Sequence, residues 1–176
     1  MAMTLITTNT SSNAASSSFT SSIDSTYKLY IFKWYAVNPA TDEANFTFNM
    51  SIDGGSNYNV TKTTSAFRAE HLEDDTSGLA YQAGSDLAQG TGFQLLGSSL
   101  GNAGDESAAG ELFLFNPSNT PYVKHYYSTT SFSRSEEGEH LFLSAGYGNT
   151  TSAVNAMQFK MSSGNMDAVI KMYGVG

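Results

Sequence analysis

The chain contains no cysteine, 3 prolines and a single tryptophan, and charged side chains make up only 14% of its 176 residues. Without cysteine there is no disulfide, no thiolate metal site and no cysteine nucleophile, so the fold has to hold by packing alone. Basic residues number 8 against 16 acidic ones and are scattered singly. No patch exists that could neutralise a run of phosphates, which argues against nucleic acid as a partner. The first charged residue is Asp24 and the first basic one Lys28, and no apolar run approaches the length of a signal-peptide core or a membrane span. Neither secretion nor membrane insertion is expected. The N-x-S/T triplets at Asn9, Asn45, Asn49, Asn59 and Asn149 are therefore read as chance in an Asn- and Thr-rich chain.

What is present is a composition that folds. Hydrophobic residues make up 40%, and 10 Tyr and 11 Phe lean towards strands rather than helices. The length suits one domain with a proper core. Residues 1–22 stand apart: from Thr4 to Ser22 nearly all are Ser, Thr, Asn and Ala, with apolar exceptions at Leu5, Ile6 and Phe19, too little to bury for an independent fold. They are expected to form a flexible arm whose Leu5, Ile6 and Phe19 lie across a neighbouring subunit. Residues 23–176 are expected to form a β-sandwich.

The strand pattern carries that expectation. Tyr27 to Val37 is apolar on both alternating faces, as in a central strand covered on both sides. Phe46, Phe48, Met50 and Ile52 alternate with polar residues, predicting a half-buried strand that turns at Asp53-Gly54-Gly55-Ser56 and returns as a hairpin through Tyr58 to Phe67. From Glu70 to Ala109 the chain reads as long loops around short strands such as Phe93 to Leu96. Five further strands, over Glu111–Phe115, Tyr122–Thr130, His140–Ala145, Ala153–Ser162 and Ala168–Val175, are separated by turn chemistry, including Glu136-Glu137-Gly138. About eight strands without helical crossovers predict an all-β, antiparallel, jelly-roll-like sandwich.

Chemistry is hard to find. Gly97-Ser98-Ser99-Leu100-Gly101 matches the G-x-S-x-G of nucleophile elbows, but the following Asn102-Ala103-Gly104-Asp105 does not open a helix. His71, His125 and His140 lack short metal-ligand spacing. Glu73-Asp74-Asp75 and Asp105-Glu106 lack the ligand order of a calcium loop and read as solvated acidic loops. No catalytic residue, metal or cofactor is expected, and the chain reads as a non-enzyme.

Several phrases carry a resemblance instead. Ile23-Asp24-Ser25-Thr26-Tyr27 with Leu29-Tyr30-Ile31-Phe32, Asn38-Pro39-Ala40-Thr41-Asp42 and Ser51-Ile52-Asp53-Gly54-Gly55-Ser56-Asn57-Tyr58 are followed by Gly110-Glu111-Leu112-Phe113-Leu114-Phe115-Asn116-Pro117-Ser118. With Asn149 to Ala156, Ser162 to Asn165 and the closing Ile170 to Val175, they resemble a recurrent module of virion structural proteins of tailed bacteriophages, particularly those of marine bacteria. The resemblance covers about residues 19–176. It implies a virion protein, made in the host cytoplasm, whose partners are copies of itself, with a homotrimer suggested by analogy, and phage capsid or tail proteins. A small subunit ending just after its last predicted strand fits a capsid decoration (cement) protein that stabilises the shell. The other placement is a tail-fibre, head-fibre or tail-tip protein binding host surface glycan, with loop residues Tyr58, Tyr81 and Tyr147 as its contacts.

Overall fold

A computed structural model describes residues 2–134 and 138–176, so Glu136 and Glu137 of one expected turn lie outside the described residues. The first six strands are β1 (Met3–Ala14), β2 (Ser17–Phe19), β3 (Leu29–Pro39), β4 (Ala44–Ser51), β5 (Lys62–Leu72) and β6 (Ser77–Tyr81). They are followed by β7 (Gln94–Leu100), β8 (Ala108–Phe115), β9 (Lys124–Ser133), β10 (Gly138–Gly148), β11 (Ala156–Met161) and β12 (Met166–Val175). All pairings are antiparallel and no helix occurs among the described residues. One sheet has eight strands in the order β1-β12-β3-β8-β9-β10-β5-β6, and the other has four in the order β2-β11-β4-β7. The pairing is nested: β3 lies beside β12 in the large sheet while the strands just inside them in sequence, β4 and β11, pair in the small one.

The sandwich closes because each sheet turns one apolar row inward. Tyr30, Phe32 and Trp34 of β3, Leu112 and Leu114 of β8, and Ile170 and Met172 of β12 meet Phe46, Phe48 and Met50 of β4 and Met157, Phe159 and Met161 of β11. Phe159 is the hub of this layer. Its ring centroid lies 5.5 to 6.4 Å from those of Phe19, Phe32, Trp34, Phe46 and Phe48. Edge-on and tilted ring pairs at such separations add to the area they bury.

Three expectations need correction. Twelve strands lie among the described residues rather than about eight, the additions being β1, β2 and β6. Residues 1–22 are not a separate arm: β1 pairs along β12, and β2 pairs with β11. Composition concealed this because an edge strand is held by backbone bonds to one neighbour and needs few apolar side chains. The turn at Asp53 to Ser56 is real, but β4 does not return beside itself; the chain crosses to the other sheet and β5 pairs with β10. The Asp53 carboxylate organises that turn, accepting from Ser51 Oγ, the Asn57 backbone and Asn57 Nδ2, and these donors hold its pKa down to about 2. The crossing also buries the polar face of β4, where Thr47, Asn49 and Ser51 are nearly inaccessible.

Phe159→Ala should lower unfolding stability by about 3–5 kcal/mol, because five aromatic neighbours lose one shared partner and cannot all collapse into the gap. Urea unfolding of the variant against the parent chain checks this; a loss under about 1 kcal/mol would show the hub to be replaceable.

Candidate functional site

The inner row of β3 is sealed, yet its outer row is apolar as well. Leu29, Ile31 and Tyr35 alternate with the core residues and point to the other side of the large sheet. Cross-strand register extends this outer row in both directions. Leu5, Tyr173, Ile31, Phe113, Tyr127 and Ala145 stand directly opposite one another across β1, β12, β3, β8, β9 and β10. A second row runs Thr8, Lys171, Lys33, Glu111, Thr129, Leu143, Phe67, Tyr81 across all eight strands. Phe113 and Tyr127 are stacked at 4.6 Å, Phe115 leans on Tyr127 at 5.8 Å, and Phe67 meets Tyr81 edge-on at 5.2 Å.

Among the described residues eleven large hydrophobic side chains are exposed, and nine of them lie on this face. They are Met3, Leu5 and Tyr35 toward β1, Phe115 and Tyr127 at the centre, and Leu143, Phe67, Leu79 and Tyr81 toward β6; Ile52 and Tyr122 lie elsewhere. Singly exposed hydrophobics are ordinary, whereas a contiguous set marks a contact surface. Charge is sparse here. In the two rows Lys33 is neutralised by Glu111 at 2.8 Å, and Lys171 lies over the Tyr35 ring at 5.7 Å. A depression of about 360 Å³ between Lys33, Tyr35, Glu111 and Leu141 indents the face beside the bulge that places Ala36 at φ 48°.

The expected contact residues divide. Leu5 is exposed on the face, while Ile6 packs against the chain's own core and Phe19 is buried in it, so neither reaches across to a neighbour. Phe19 sits edge-on to Phe32 at 5.3 Å. Tyr81 and Tyr147 both belong to the outer face, Tyr81 donating to Asp86 at 2.5 Å and Tyr147 tilted over His125 at 6.0 Å. Tyr58 is not with them: it packs over the Gly55 turn between the sheets. The three tyrosines therefore form no common site. Phe113, Phe115, Tyr127, Phe67, Leu79 and Leu143 join the face without being expected there; the signal for them is the apolar character of both faces of β3 and β8.

Other groups lie in structural settings. Gly97 to Gly101 lies mostly within β7, which bulges against β4; Ser99 takes φ 53° there, and its backbone is held by Asn45 Oδ1 and Arg134 Nε. A strand continuing through this motif lacks the turn into a helix that an elbow needs. His71 pairs with Asp75 at 3.3 Å and His125 lies on the outer face. His140 is buried, stacked on Phe132 at 5.5 Å and 3.5 Å from Glu70. Glu73, Asp75, Asp105 and Glu106 come together, with Asp42 and Glu139, around a concavity of about 1100 Å³. Among the described residues no group of three His, Cys, Asp or Glu is placed to hold a metal ion.

Two fully buried lysines close one end of the sandwich, opposite one another across Gly148. The Lys124 ammonium donates to the carbonyls of Asn119, Tyr122 and Thr150, tying two loops to β9. The Lys62 ammonium donates to Asn49 Oδ1 and the Val60 carbonyl, and burial pulls its pKa down to about 7. No family model, curated protein or solved structure matches the chain.

The folded chain releases the Lys62 proton near pH 7 whereas the unfolded chain keeps it to about 10.5, so Lys62 contributes a rise in stability between those values. The slope is at most about one proton, ~1.4 kcal/mol per pH unit. Lys62→Met should lose that slope, so that the parent gains on the variant from pH 7 to pH 10 in urea unfolding. A gap that stays constant with pH would refute the assignment.

Proposed function

We propose that the chain is a non-enzymatic structural subunit of a tailed-bacteriophage particle, fastened to the shell as a decoration protein that stabilises it. The observation that carries this reading is the outer face of the eight-stranded sheet, where nine of the eleven large hydrophobics exposed among the described residues are gathered. A surface of that kind suits lasting contact with other proteins better than turnover of a small substrate, which calls for a concave pocket with converging polar groups. The resemblance of residues 19–176 to phage virion modules points the same way. A fibre or tail-tip adhesin is the second reading, favoured by the exposed Phe67–Tyr81 pair, whose rings could stack on a host sugar.

The decoration reading predicts a copy number on purified particles that matches a shell lattice, counted by quantitative mass spectrometry, and heads that rupture more readily when the subunit is removed. Few copies, confined to the tail by labelled-antibody microscopy, would overturn it. Lost adsorption with unchanged head strength would favour the adhesin.

A further inference from the structure

We infer that the outer face of the eight-stranded sheet is covered by a second copy of this chain, in a contact centred on Phe113, Phe115 and Tyr127. The inference rests on the docking reading of that face and names its occupant.

Size is the first argument. Eight strands about 4.8 Å apart, each offering about eight residues of roughly 3.3 Å rise, span on the order of 1,000 Å². That is the whole outer face of the sheet, its polar residues included. It matches the ~800 Å² that each partner gives to a standard interface.

Charge selects the partner. Each copy carries a formal net charge of −8, so two copies repel wherever their acidic surfaces meet. The central rows of this face hold Lys33, Lys171 and Glu111 as their charged residues, and Lys33 is already paired with Glu111. Asp42, Asp53, Glu73 and Asp105 lie in loops, and the acidic Glu139 of β10 stands at the end of the face, outside those two rows, accepting from Ser131 Oγ. A near-neutral apolar face on an acidic protein is complementary to itself. A strongly charged partner would find no counter-charge there, and an anionic membrane surface would meet repulsion from the rest of the molecule.

Pattern agrees with size and charge. Ile31 is only 7% exposed although it faces outward, because Phe113 and Tyr173 flank it across the ladder. The exposed residues around it are those that a facing sheet would cover, as the inner faces of two sheets cover each other in a sandwich.

The test uses the purified full chain in sedimentation velocity at micromolar concentrations, beside the double variant Tyr127→Glu, Leu143→Glu. Both side chains are partly exposed, so the variant is expected to fold, which near-ultraviolet circular dichroism confirms. The parent should sediment as an oligomer. Glutamates facing apolar or acidic groups across the contact should weaken association by about 100-fold or more. Tyr122→Glu, which is exposed and off the face, should leave association unchanged. A monomeric parent overturns the inference, as does a double variant that associates like the parent. If the chain is monomeric in solution yet arrayed on particles, the inference fails and the virion reading stands. An oligomer dispersed by the double variant but absent from purified particles supports the inference and removes the virion reading.

Discussion

Phe159 lies where the two sheets meet, and five aromatic rings from β2, β3 and β4 close around it. A chain without disulfides to staple it depends on such a layer, and the consequence reaches beyond the core. To bring Phe32 and Trp34 onto Phe159, β3 must turn its even-numbered residues inward, which fixes Leu29, Ile31 and Tyr35 on the other side. The register of β3 with β8 and β12 then carries the same choice along the sheet. The apolar outer face is the geometric complement of the core that holds the fold.

How much of this the sequence reveals depends on what each residue has to bury. The strands β3, β4, β8, β9, β10, β11 and β12 show themselves through alternation and turns because their inner residues are apolar. Those of β1 do not: Thr7, Thr8, Thr10 and Ser11 carry no apolar signal, and the strand exists because β12 offers a free row of backbone groups. The same limit hides sheet membership. The Asp53-Gly54-Gly55-Ser56 glycines mark a turn but not its direction, so a crossing between sheets reads as a hairpin.

The outer face was legible in one sense and not in another. Apolar residues on both sides of Tyr27 to Val37 predict a strand with two covers, and the structure corrects this, since Tyr35 on the outer side of β3 is exposed. The fold supplies one cover from within the chain. Whether a missing cover belongs to the same chain or to another molecule is decided by long-range pairing, to which periodicity is blind. The candidate tyrosines illustrate this further, since Tyr81 and Tyr147 share a face that neither loop position nor sequence distance announces.

The edge strand adds a last consideration. β1 runs twelve residues with neither a charge nor a proline, two of the devices by which exposed edges resist pairing with other chains. It has bulges between Leu5 and Thr7 and between Ser11 and Ala14, which twist the edge and leave the middle from Thr7 to Ser11 regular. Met3 and Leu5 join this edge to the apolar face, so the two exposures are continuous rather than separate. An occupant of the face that reached β1 would shelter the edge in the same contact. A lone chain leaves both in water. Selection for solubility in a freestanding monomer acts against such an arrangement, whereas a subunit held permanently among copies of itself has no reason to remove it.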